Sequence, residues 1–258
     1  MKPICWQVRN SMNVLNSEAF KRGGVYILRS NKIYAMVCAM PIGVGGIGPH
    51  KHNDWLSYDL CLNGTSVVVD PGSYCYTANL NEKNRFRSTA AHNTLMVDGE
   101  EQISLKNSIF AFSNPSGTVV VDKWESGTGQ DLLAAHHTGY QRLSSPVIHQ
   151  REFVLDKGRE EWRVVDIVKS HGRHHLDFFL HLDLGLEAVC VGENRVSISN
   201  GGGGIGHIYF GDNCLNLSIE KGWVSRAYNQ RNVAAVIRWK GFVDIQGMIK
   251  FESRIVPV

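Results

Sequence analysis

From Leu56 to Leu62, apolar Leu56, Tyr58, Leu60 and Leu62 alternate with Ser57, Asp59 and Cys61, and after Asn63-Gly64 the chain resumes as Val67-Val68-Val69. Period-2 alternation marks a strand with one buried face. Asn-Gly best accepts the positive φ angles of a two-residue hairpin turn. This segment therefore commits the chain to antiparallel pairing. Residues 24–29 and 32–38 flank Ser30-Asn31 as a second hairpin, and strand-like runs recur at 93–97, 118–121, 148–155, 162–168, 176–182, 195–198, 206–210, 215–219, 234–239 and 247–251. With no sustained i, i+3, i+4, i+7 apolar pattern, the expected class is all-β, a large antiparallel β-sandwich or super-sandwich. Only the first twenty residues suit a helix. Residues 1–22 read as a linker or the remnant of a preceding helical domain, and 23–258 as the sandwich.

A chain of 258 residues can bury a full core as one such unit. Its 43% hydrophobic and 20% charged residues fit a globular protein rather than a disordered one. The net charge of +3 comes without a dense basic block, which argues against nucleic acid as a partner. No apolar run reaches the length of a membrane span, and the opening residues lack the apolar core and cleavage site of a signal peptide. The six cysteines contain no C-x-x-C pair, so buried free thiols are expected rather than a thiolate metal site.

The chemistry-bearing residues concentrate between positions 50 and 94. In an extended segment, His50, His52 and Asp54 would share one face, since strand side chains alternate. Asp70 precedes Pro71-Gly72, and His92 and Asn93 follow Arg87 and Ser88-Thr89-Ala90-Ala91. Imidazoles and a carboxylate are the donor set zinc takes, and a neutral histidine held by an acceptor also serves in proton transfer. Gly43-Val44-Gly45-Gly46-Ile47-Gly48 matches a dinucleotide fingerprint in letters, but Pro49-His50 follows where a helix should open. Gly201 to Gly204 lacks the Lys-Ser/Thr of a phosphate loop and reads as a turn. His136, His137, His171, His174, His175 and His181 read as polar-face or core histidines with hydrogen-bonded rings.

The ordered set His50-Lys51-His52-Asn53-Asp54-Trp55-Leu56-Ser57, Asn63-Gly64, Val69-Asp70-Pro71-Gly72-Ser73-Tyr74, Arg85 to Thr94 and Val97-Asp98-Gly99 resembles the C-terminal domain of the heparinase II/III-like family. The resemblance implies a β-sandwich that partners a helical toroid, in polysaccharide lyases acting on uronic-acid-containing chains by β-elimination. It implies that His50 is a catalytic acid/base, that His52, Asp70 and His92 hold a divalent metal, zinc foremost, and that Arg87 and Asn93 serve substrate binding or the scaffold. An acidic polysaccharide or oligosaccharide and a toroid of the same or another chain are the implied partners. Without that toroid the chain is expected to be inactive. Location in the periplasm or outside the cell is favoured over the cytoplasm. A non-catalytic carbohydrate-binding or structural sandwich is the alternative, and a cupin-like metal oxygenase a third reading. One geometric condition attaches to the metal. A strict hairpin at Asn63-Gly64 pairs Ser57 with Asp70 and turns Asp70 away from His52, so a shared ion requires a bulge, an odd-length loop, or an Asp70 beyond the regular ladder.

Overall fold

The computed structural model describes residues 16–43, 48, 50–105, 112, 117–211 and 214–258. A five-stranded antiparallel sheet opens the chain, in spatial order β1 (Glu18–Phe20), β2 (Val25–Arg29), β3 (Ile33–Cys38), β4 (Tyr58–Leu62) and β5 (Thr65–Val68). Helix α1 (Leu80–Arg87) and a 3-10 turn (Thr89–Ala91) follow. The remaining strands are β6 (Leu95–Val97), β7 (Val119–Ser126), β8 (Gln130–His137), β9 (Ile148–Asp156), β10 (Glu161–His181), β11 (Glu187–Cys190), β12 (Arg195–Asn200), β13 (Gly203–Phe210), β14 (Asn216–Ala227) and β15 (Gln230–Pro257). They form a ten-stranded sheet ordered β11-β12-β13-β15-β10-β9-β8-β7, with β14 on β15 and β6 on β10. The all-β antiparallel sandwich expected from the sequence is the fold observed.

The core lies where the alternating inner faces of the two sheets meet. Leu28, Ala35, Leu60 and Leu62 of the small sheet join one cluster with Leu133, Phe153, Trp162, Phe251 and Ile255 of the large one, each 1% exposed or less. Each fully buried Leu or Phe contributes roughly 1.5–3 kcal/mol. The spine is the pairing of β10 with β15, continuous from Trp162 opposite Ile255 to His181 opposite Val236. The candidate runs at 162–168 and 176–182 thus belong to one strand, as do those at 234–239 and 247–251. Gly247 sits inside β15 at φ 95°, a backbone conformation that strains any side-chain-bearing residue.

Three expectations change. Glu18–Phe20 is not helical: it pairs with β2 along Phe20 opposite Val25. The helix among the described residues is instead α1, capped by the Asn79 side chain, which accepts from the Glu82 N–H at 3.1 Å. Asn-x-x-Glu is an N-terminal signature that the short, polar α1 offers without an apolar stripe. Strand β8, whose Leu133 and Ala135 are fully buried, is not among the runs expected from the sequence. The glycine-rich residues 44–47 lie outside the described residues, as do 1–15. The turn expected over Gly201 to Gly204 narrows to Gly201 and Gly202, and Gly203 and Gly204 open β13.

Candidate metal centre

The site forms where the two sheets are stitched together. The Val69 N–H donates to the His181 carbonyl at 2.9 Å and the Asp183 N–H to the Val67 carbonyl at 3.0 Å, joining the end of β5 to the end of β10. The hairpin begins as the Asn-Gly turn dictates, Leu62 opposite Thr65 and Cys61 opposite Ser66. Leu60 then faces Val68, so Val67 is an inserted bulge residue. Asp70 lies two residues past the last ladder position of β5. Both ways of turning Asp70 toward the histidines, a bulge and an ending ladder, are therefore present. The Asp70 N–H donates to Asp59 Oδ1 at 2.8 Å, and Asp70 Oδ1 accepts from the Gly72 N–H at 2.8 Å. Gly72 has φ 82°, and a Cβ there would stand 2.2 Å from the Ser225 carbonyl oxygen. Only glycine permits this approach.

His52, Asp70 and His92 each bring a ligand atom within 4.8 Å of the others. Around a tetrahedral zinc such atoms stand roughly 3.5 Å apart, so small side-chain rotations would gather them. The His92 Nδ1–H donates to Asp70 Oδ2 at 2.8 Å, leaving the Nε2 lone pair of this fully buried ring without a hydrogen-bond partner. That orphaned nitrogen is available to a cation, and Asp70 joins the same ion only once its Oδ2 leaves the His92 Nδ1. The rings of His52 and His92 lie 5.1 Å apart. Burial, followed by the charge of His92, pushes His52 down to about 4, so it is a neutral imidazole able to donate a lone pair at pH 7. The Asp70 carboxyl is held at about 2: burial opposes ionisation, but the charge and hydrogen bond of His92 outweigh it. His92 is correspondingly raised by Asp70 against its own burial. The residues present fit a divalent cation.

The other motif residues fall in different places. His50, Lys51 and His52 are not in a strand. His50 is exposed at a turn with its ring edge-on to Tyr76, centroids 5.5 Å apart. Asp54 turns to Lys51, Oδ1 to Nζ 2.6 Å, so the common face expected for His50, His52 and Asp54 does not form. Asn93 is 1% exposed and wholly used by main chain: Nδ2 donates to the Tyr58 and Val69 carbonyls at 2.9 and 3.0 Å, and Oδ1 accepts from the His181 N–H at 2.7 Å. Its place is in the scaffold. Arg87 is also 1% exposed, with its guanidinium over the Phe112 ring at 4.4 Å and no hydrogen-bond partner among the described residues. Its positive charge contributes to keeping His52 neutral.

Several residues that shape the site are not among the motif residues between positions 50 and 99. His181, read as a core histidine, stands at the end of β10 beside the cluster. Its Nε2–H donates to the Ala90 carbonyl at 3.0 Å, its buried Nδ1 has no partner, and burial pushes it down to about 4. Asp59, the acceptor for the Asp70 N–H, is raised to about 7 by burial and by the Asp70 charge. Farther in, Arg151 donates through Nη1 to the Leu56 and Asn93 carbonyls, both at 2.8 Å, and clasps Asp166 with Nε at 2.7 Å and Nη2 at 3.1 Å. A one-way chain ends on the same carboxylate. The Gly139 N–H donates to His137 Nδ1, His137 Nε2–H to His149 Nδ1 at 3.1 Å, and His149 Nε2–H to Asp166 Oδ1 at 2.5 Å. Both rings are buried and held below their ordinary values, in keeping with neutral tautomers. His174 is likewise saturated, by Asp98, Ser145 and Ser170. The five described cysteines are free thiols, but of them Cys75 alone is buried: Cys38 and Cys61 are half-buried and Cys190 and Cys214 exposed.

A family model described as Heparinase II/III-like, C-terminal, matches residues 12–255. The chain belongs to this family. No curated protein matches this chain by sequence. Among solved structures it resembles the heparan sulfate lyase HepC from Pedobacter heparinus, with a TM-score of 0.80 and 21% identity over 96% of this chain and 37% of that one. A heparinase III gene product aligns with TM-score 0.79 and 19% identity over the same shares. A further heparinase III aligns with TM-score 0.75 and 16% identity over 94% of this chain and 37% of that one. At such identities the likeness is one of fold. The chain spans a little over a third of the length of these solved relatives, and no helix among its described residues is long and apolar enough to cross a membrane.

Proposed function

We propose that this domain is the C-terminal part of a polysaccharide lyase that cleaves uronic-acid-containing chains by β-elimination, working with a helical toroid of the same or another chain. The observation that carries the reading is the convergence of His52, Asp70 and His92 beside an exposed His50, in a chain of this family. In β-elimination a base takes the proton at C5 of the uronate, charge develops on the carboxylate side, and the glycosidic oxygen leaves C4. His50, exposed at its turn, is the imidazole free to meet a sugar and to carry that proton. His52, Asp70 and His92 would hold a divalent cation, zinc foremost, which supplies fixed positive charge and locks the loop that carries His50. Arg87 and Asn93 support this loop and its field from within, Asn93 by tying the starts and ends of three segments together.

The test is the ultraviolet absorbance of the unsaturated uronate released from heparan sulfate by the parent protein, toroid included. His50→Ala should abolish the signal while thermal melting stays as in wild type. A variant that keeps its rate would remove His50 from the chemistry.

A further inference from the structure

Beyond the metal cluster, the described surface near His50 carries two aromatic rings that the fold does not bury. Tyr228 is 58% exposed and Tyr76 39% exposed, yet their rings are stacked, centroids 6.2 Å apart and planes within 12°. Tyr228 occupies the tight turn between β14 and β15, and Tyr76 the loop between Asp70 and α1. The two segments are fastened to each other. The Asn229 N–H donates to the Tyr74 carbonyl and the Ser225 N–H to the Pro71 carbonyl, both at 2.7 Å. Arg231, just past the turn, pairs with Glu82 of α1 and lies over the rings of Tyr74 and Trp223 at 4.9 and 4.6 Å. The two tyrosines are thus held on ordered backbone. Surface rings fixed in this way bind without losing much conformational freedom.

Their surroundings indicate what they would bind. The Tyr76 ring meets the edge of His50 at 5.5 Å, and the Lys83 Nζ lies 5.9 Å from its centroid. The exposed ring of Tyr228 therefore offers an apolar face beside the exposed imidazole of His50, while the Lys83 ammonium lies over the Tyr76 ring and is itself buried. A pyranose presents the matching pattern, with C–H groups on its faces and hydroxyls at its edge, and a uronate adds a carboxylate. A protein-docking face would instead call for a contiguous apolar patch, whereas here the exposed polar residues His50 and Asn229 adjoin the rings.

We propose that Tyr76 and Tyr228 form a stacking subsite for one sugar of an acidic polysaccharide, adjoining His50 and setting where the chain lies relative to it. The proposal rests on the reading of an acidic polysaccharide as ligand, but it concerns binding and not bond cleavage. Calorimetric titration of the chain with size-defined heparan sulfate oligosaccharides tests it. Tyr76→Ala and Tyr228→Ala should each weaken binding about tenfold, as truncation of an aromatic anchor does. The Phe variants should bind within about twofold of wild type, because the ring face and not the hydroxyl makes the contact. Tyr76→Leu and Tyr228→Leu, which keep apolar bulk without a flat face, should resemble the Ala variants and guard against misfolding as the cause. If the parent protein forms no unsaturated product while this pattern of affinities holds, the lyase reading fails and the subsite stands. Failure of the wild-type chain to bind, Ala variants that bind as wild type, or Phe variants as weak as Ala would each overturn the subsite.

Discussion

Replacing Asn93 by Ala separates a scaffold role from a substrate role. The side chain is 1% exposed, and its amide closes three hydrogen bonds to main-chain groups at Tyr58, Val69 and His181. These belong to the start of β4, the residue after β5 and the end of β10, so one side chain ties together the three segments around His52, Asp70 and His92. Alanine leaves all three backbone groups without that partner. A buried group deprived of its bond costs about 1–3 kcal/mol, and some of the loss is recovered by relaxation, so the sum is about 3–5 kcal/mol. For a domain of this size that lowers the melting temperature by roughly 10 °C. Urea unfolding followed by tryptophan fluorescence gives the free energy directly, and calorimetry gives the shift. Asn93→Asp should be at least as damaging, since it sets a carboxylate against two carbonyl oxygens. A loss below about 1 kcal/mol together with a weakened affinity for oligosaccharide would refute the scaffold assignment and return Asn93 to the substrate.

Arg151→Met should destabilise the domain by about 3–5 kcal/mol, because it strands the buried Asp166 carboxylate and frees the Leu56 and Asn93 carbonyls. Combining it with Asp166→Leu should recover part of that loss, and a double-mutant cycle measures the coupling. His181 is held neutral by burial at about 4, whereas an unfolded histidine titrates near 6.5. The unfolded state therefore takes up the proton first as pH falls, so this group's contribution is complete above about pH 6.5 and is lost down to about pH 4, about 3 kcal/mol in all. Melting curves across this window should be flatter for His181→Gln than for wild type. Equal slopes would show that another group governs the acid limb.

The sandwich was legible because its signals are local. Alternation in 56–62 and the Asn-Gly turn specify a hairpin without reference to the rest of the chain, and the observed register starts as that turn requires. The length of β10 and β15 was not legible. Their middles carry Ser170, Gly172, Gly241 and Gly247, residues that interrupt a hydrophobic run while the pairing passes through them. Helix α1 escaped notice because its polar sequence has no apolar stripe, and its signature is confined to the cap formed by Asn79. At the site, the spacing of His52, Asp70 and His92 along the sequence gives no geometry. The family motif brought them together as candidates, and the bulge at Val67 with the end of β5 explains how they meet. Arg87 and Asn93 share the motif with the histidines, and sequence alone cannot tell a buried brace from a ligand contact. Both are 1% exposed in the structure. Asp59 belongs to a strand whose alternation explains it fully, so nothing short of coordinates marks it as a neighbour of the cluster.

His52, Asp70 and His92 are proposed to form a cation site in this domain. Elemental analysis of the purified chain, after dialysis against metal-free buffer and reloading with zinc, tests it most directly. The account predicts one divalent ion per chain, retained through gel filtration and lost in His92→Ala and Asp70→Ala variants that remain folded. A chain that retains no stoichiometric metal, or variants that retain it as well as wild type does, would contradict the account.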